Sequence, residues 1–64
     1  MKRYKVREII KMLKEDGWYL ERQRGSHRQF RHTSKQGTVT VPGNENETMK
    51  QSTLNSIFKQ AGWL

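Results

Sequence analysis

The feature that most constrains this chain is a change of hydrophobic period at Gly17. Before that glycine, Val6, Ile9, Ile10 and Leu13 fall at i, i+3, i+4 and i+7, one stripe of an α-helix reaching from Tyr4 to Asp16. After it, "WYLERQR" alternates: Trp18 and Leu20 lie on one side, Tyr19, Glu21 and Gln23 on the other, as in a half-buried strand. Glycine at the junction suits a left-handed helix C-cap, because it has no Cβ to oppose a positive φ. A chain that passes so early from one period to the other has to lay a helix against a sheet.

The remaining pattern extends that sheet. Gly25-Ser26 suits a two-residue hairpin turn with glycine first, and "HRQFRHT" becomes the antiparallel return strand. There His27, Gln29, Arg31 and Thr33 point one way, and Arg28, Phe30 and His32 the other. Phe30 marks the core side, which leaves His27 on the exposed face or at the frayed start of the strand. "SKQG" forms a second turn, and "TVTVP" alternates again, with Val39 and Val41 facing inward and Pro42 closing the strand. "GNENET" reads as a loop, and Thr48 and Gln51 are spaced as a capping box for a second helix. Met49, Leu54, Ile57, Phe58 and Ala61 give that helix its apolar stripe, Gly62 ends it, and Trp63-Leu64 is expected to fold back onto the core. The expected architecture is α+β, in the order α-β-β-β-α: one domain over residues 1–64, with a three-stranded antiparallel sheet and both helices packed on one face.

Size and charge narrow the function. A chain of 64 residues buries only about 60% of the surface its unfolded form exposes, and without cysteine it has neither disulfides nor thiolate metal ligands to staple it. No apolar run nears the roughly 18 residues of a membrane span, and the first ten residues lack the apolar stretch of a signal peptide, so a soluble cytoplasmic protein with no membrane partner is expected. The net charge of +7 is uneven: residues 1–36 carry eleven basic and four acidic side chains, residues 37–64 two of each. Within the first part, Arg22, Arg24, Arg28, Arg31 and Lys35 stand in residues 22–35 without an acid. That field favours a polyanion over a merely solvated face, and a polyanion over an acidic membrane, because the cluster is not on an amphipathic helix.

The chemistry narrows to one histidine. His27 and His32 are an odd number apart in one strand, so they face opposite sides, and no carboxylate lies close to either in sequence; no metal site is expected. There is no glycine-rich phosphate loop, and a Ser-His-Asp triad would need a buried acid where the sequence offers Asp16 and glutamates at surface positions. RNA asks for less. It carries its own nucleophile, the ribose 2′-hydroxyl, and an imidazole with an ordinary pKa of about 6.5 is a natural proton shuttle at neutral pH. Spacing alone favours reading His27 as a polar residue beside a turn, with the shuttle second. His32 reads as a rim residue, and Trp18, Phe30, Phe58 and Trp63 as packing residues. Tyr19 is the aromatic placed to stack on a base.

Taken together, the opening helix ending in "DGW", then "GSHRQF", "GTVTVP" and "STLNSIFKQAGWL", resemble the HicA-like toxins, small mRNA interferases of bacterial and archaeal toxin–antitoxin modules. The likeness covers nearly the whole chain. It implies a fold like the double-stranded-RNA-binding domain and ribosome-independent RNA cleavage with His27 as the catalytic residue. It also implies a HicB-like antitoxin that covers the site. Two positions depart from the family pattern: Gly43-Asn44 follow "VTVP" where a His-Pro pair is common, and Ser52 replaces a glycine before "TL". Any role of the second family histidine is therefore missing, and His27 alone is assigned to catalysis. Arg22, Arg24, Arg28, Arg31 and Lys35 are expected to gather the RNA backbone, with Arg28 or Lys35 also on the scissile phosphate. Gly25 sets the turn, and Ser26 donates a hydrogen bond to phosphate. No metal or cofactor is required. The rival from another class is a non-catalytic double-stranded-RNA-binding module, which also carries a loop histidine but usually has a lysine cluster at its last helix, where this chain has Lys50.

Overall fold

Helix α1 (Val6–Glu15) forms where the four apolar residues of its stripe can all be buried together. Its first turn is closed by the Glu8 carboxylate, which accepts the Lys5 N–H at 2.8 Å. The helix stops at Gly17, whose φ is +98°. In this computed structural model, which describes residues 2–64, the chain continues through strands β1 (Trp18–Arg24), β2 (His27–His32) and β3 (Val39–Val41) to helix α2 (Gln51–Gln60). The sheet is antiparallel in the order β1-β2-β3. Trp18, Phe30, Val39 and Val41 meet Ile9, Leu13, Leu54 and Ile57 in one core, with α1 against β1 and α2 against β3. The α-β-β-β-α order and the α+β class are as the pattern predicts.

Two glycines separate backbone need from steric need. At Gly25 φ is +58° and an added Cβ would meet nothing within 4 Å, whereas at Gly17 it would lie 2.8 Å from the Nε2 of His32. Gly25→Ala is therefore expected to cost about 1–2 kcal/mol, the left-handed penalty alone. Gly17→Ala should cost on the order of 1 kcal/mol more, since His32 must also give up a hydrogen bond. Urea denaturation of the two variants checks the order; equal losses would show that His32 yields freely.

Three expectations are corrected. Leu20 pairs with Phe30 and so shares its side, yet it is 44% exposed: β1 is an edge strand, and beyond Trp18 its other six residues are uncovered. The capping box at Thr48 does not form. The loop before α2 serves α1 instead: Glu47 and Glu45 carbonyls accept the N–H groups of Val6 and Arg7 at 2.9 and 3.0 Å, and Met49 N–H reaches the Tyr4 carbonyl at 2.8 Å. The Val6 and Arg7 N–H groups are donors that a helix start leaves open. Thr48 is thereby held in a bridge with Lys5, and α2 begins later, with Lys50 at its cap position. Finally, Trp63 folds back, edge-on to Phe58 at 5.2 Å, but Leu64 stays 77% exposed. Among the described residues no helix is long and apolar enough to cross a membrane.

Candidate functional site

A bulge in β1 builds the site. Leu20 pairs with Phe30, but the next pairs are Arg22 with Gln29, Gln23 with Arg28 and Arg24 with His27, so the register shifts at Glu21. An extra residue in one strand exchanges the faces of everything beyond it. Without the bulge Arg22 and Arg24 would follow Trp18 and Leu20 onto the helix-covered side. With it they stand beside Gln29 and His27 on the open side, because directly opposed residues share a face. These four line a cleft of about 190 Å³.

The turn that presents His27 is held by a side chain from each of its two strands. Gly25 has a positive φ and Ser26 does not, the type II′ pattern that matches strand twist. The Gln23 amide donates to the Gly25 carbonyl at 3.0 Å. Its cross-strand partner Arg28, on the same side of the sheet, donates from Nη1 to the Ser26 carbonyl at 3.3 Å and to the Gly43 carbonyl at 2.9 Å. Arg28 thus ties the hairpin to the loop after β3. His27 itself is exposed, and its ring nitrogens make no hydrogen bond within the described residues. On its other flank it borders a second cleft, between β3 and α2.

The remaining residues divide by strand face and end. Tyr19 and Arg31 are paired and exposed, extending the open side along the sheet. Ser26 is half-buried in the turn. Lys35 lies beyond the far end of β2, whose His27 and His32 termini are about 17 Å apart at ~3.4 Å per residue. The structure therefore brings Arg22, Arg24 and His27 together with Gln29, which the sequence pattern did not single out; Arg28 and Lys35 are engaged elsewhere.

At that far end the second histidine is a latch. His32 Nδ1 accepts the N–H groups of Ser34 and Lys35 at 3.0 and 3.2 Å, so the ring proton belongs on Nε2, which donates to the Asp16 carbonyl at 2.7 Å. Its ring lies edge-on to Trp18 at 5.1 Å. The Asp16 carboxylate gathers three donors on Oδ2: Lys35 Nζ at 2.7 Å, Trp63 Nε1 at 3.0 Å and Trp18 Nε1 at 3.1 Å. Lys35 also donates to the Ala61 carbonyl at 3.0 Å. One acid at the end of α1 thereby joins the start of β1, the β2–β3 connection and the C-terminal tail.

The hydrogen bonds from Lys35 and Trp63, ahead of that from Trp18, hold the Asp16 carboxyl down from 3.8 to about 2. A depressed acid stabilises the fold fully above its ordinary value and loses that contribution as pH falls toward the folded one. The urea midpoint of the native chain should thus exceed that of Asp16→Asn at neutral pH, and the gap should close between about pH 4 and pH 2. A gap independent of pH would mean that hydrogen-bond geometry, not charge, carries the contribution.

Among the described residues no three His, Asp or Glu side chains converge as a metal site requires. Comparison with curated proteins gives no match. A family model described as "HicA toxin of bacterial toxin-antitoxin" matches residues 6–63, from the first residue of α1 to Trp63, and the chain belongs to the HicA toxin family, the toxin half of toxin–antitoxin modules.

Proposed function

We propose that this toxin is an endoribonuclease, an mRNA interferase of a type II module, with His27 as its proton shuttle. The observation that carries the reading is the contrast between the two histidines. Both ring nitrogens of His32 are committed to the fold, whereas His27 stands free in a cationic cleft with Arg22 and Arg24.

In this scheme the arginines hold the RNA backbone so that a phosphate lies against the imidazole. His27 takes the proton of the adjacent 2′-hydroxyl as O2′ attacks phosphorus. Arg22 and Arg24 offset the charge that grows on the non-bridging oxygens. The P–O5′ bond then breaks, the proton passes to O5′, and the products are a 2′,3′-cyclic phosphate and a 5′-hydroxyl. Neither a metal nor a cofactor enters. Arg31 and Tyr19 prolong the same face for a further phosphate and a base. Arg28 acts on the turn and Lys35 on the fold, while the Ser26 hydroxyl is left for phosphate. A HicB-like antitoxin restrains the toxin by covering this face, and the toxin works in the cytoplasm, where mRNA is.

End-group analysis of a cleaved transcript tests the reaction: cyclic phosphate and 5′-hydroxyl ends are expected, and 3′-hydroxyl ends would overturn it. Binding tests the cleft. For single-stranded RNA the slope of log affinity against log salt should flatten by about 0.7 for each of Arg22→Ala and Arg24→Ala. An unchanged slope would remove these arginines from the interface.

A further inference from the structure

His27 separates two clefts of unlike chemistry. On one side is the cationic cleft of about 190 Å³ that it lines with Arg22, Arg24 and Gln29. On the other is a cleft of about 390 Å³ between β3 and α2, lined by Thr40, Pro42, Ser52, Thr53, Ser56 and Gln60, with Ile57 buried behind them. The two are neighbours on the open side of the sheet, since both border His27 and Gln29 of the first is the cross-strand partner of Thr40 of the second.

The second cleft has no charged side chain among its lining residues. A phosphate gains little there and much on the other side of His27. What the cleft offers is hydroxyl groups, a fixed amide and the ring of Pro42. Gln60 is locked across it: its Oε1 accepts the N–H of Thr40 at 3.1 Å and its Nε2 donates to the Ser56 hydroxyl oxygen at 3.1 Å. That arrangement occupies the unpaired edge of β3 and leaves the Ser56 proton free to donate. Thr40, Ser52 and Thr53 make no side-chain hydrogen bond within the described residues. Ser52, Ser56 and Gln60 recur every fourth residue, so they form one row along α2 facing the cleft. A volume of about 390 Å³ falls at the small end of ligand sites, which begin at roughly 300 Å³.

We propose that this cleft is a nucleobase subsite: it takes an unstacked base of single-stranded RNA next to the phosphate held at His27 and reads its hydrogen-bonding edge through the hydroxyls of Thr53 and Ser56. The proposal rests on the nuclease reading above and deepens it, because it gives the enzyme a source of sequence preference that the arginines, as backbone contacts, do not supply. Proteins read RNA sequence chiefly from splayed single-stranded bases, and this cleft has the polarity and the placement for one. Pro42 offers an apolar contact for the ring, and the α2 hydroxyls meet its edge.

Two readouts keep the subsite and the nuclease reading apart. Binding is measured for a panel of short single-stranded RNAs that differ in the bases flanking one 2′-deoxynucleotide, which removes the nucleophile and prevents cleavage there. Cleavage of the all-ribose panel is measured separately, for the native chain, Thr53→Val and Ser56→Ala, after circular dichroism shows each to be folded. The native chain should prefer one flanking base, and each variant should flatten that preference by about 3- to 10-fold, the worth of one neutral hydrogen bond, while keeping the salt dependence set by the arginines. Absence of any base preference in the native chain, or an unchanged preference in both variants, would overturn the subsite whether or not RNA is cut. A selective chain that cuts none of the all-ribose panel would keep the subsite and overturn the nuclease reading.

Discussion

Replacing His27 by alanine should lower the rate of RNA cleavage by about 10² to 10⁴-fold, the usual contribution of a positioned acid–base group, and should leave the fold intact. The second half of that statement follows from burial: His27 is exposed, and truncation of a surface side chain without partners shifts stability by less than about 0.5 kcal/mol. RNA binding should persist, because the cations proposed to hold the backbone remain. Single-turnover cleavage, a urea midpoint and growth arrest on expression together check it. Equal cleavage by native chain and variant would remove His27 from the mechanism. Binding without cleavage by either would make the protein an RNA-binding module whose toxicity arises by occlusion. The loss has an upper bound for a physical reason: in the proposed scheme Arg22 and Arg24 still offset charge on the phosphate after the shuttle is gone, so activity above the uncatalysed rate should survive in the variant.

The architecture was legible because each element states its period plainly. Val6, Ile9, Ile10 and Leu13 have one helical solution, Val39 and Val41 alternate, and glycines stand where the backbone turns. Two-residue hairpins demand a left-handed first position, and Gly25 supplies it. What stayed hidden is non-local. No glycine or proline marks Glu21 as a bulge, so strict alternation put Trp18 and Leu20 on one side and carried Arg22 and Arg24 with them, away from His27; pairing with β2 reverses this. The Thr48 signature was present but lost the contest for its loop, whose carbonyls are taken by the exposed N–H groups of α1. Arg28 and Lys35 look like their neighbouring cations in sequence, and only the arrival of Gly43 and Asp16 from far along the chain commits them to structure. Asp16 looked like a surface acid for the same reason. The cleft on α2 was unreadable because a row of polar residues at helical spacing reads as an ordinary solvated face; Ser52, Ser56 and Gln60 acquire meaning when β3 and His27 are set beside them.

Trp18→Ala is expected to unfold the domain at physiological temperature. A chain of 64 residues commands a stability of only about 3–10 kcal/mol at ~0.05–0.15 kcal/mol per residue, and truncating a buried tryptophan removes about 3–5 kcal/mol through lost transfer and the cavity left behind. Trp18 is 2% exposed, and two further contacts fall with it: its Nε1 bond to Asp16 and the edge on which the His32 ring rests. Collapse around the gap is restricted on one side, because Gly17 and His32 are already in close approach there. Trp18→Phe keeps most of the bulk and should remain folded with a lower urea midpoint. Far-UV circular dichroism and urea denaturation distinguish these outcomes; a native-like midpoint for Trp18→Ala would mean that the small core repacks freely. The pairing with His27→Ala separates scaffold from chemistry: one variant should lose the fold and with it every activity, the other should lose cleavage from a fold that still binds RNA.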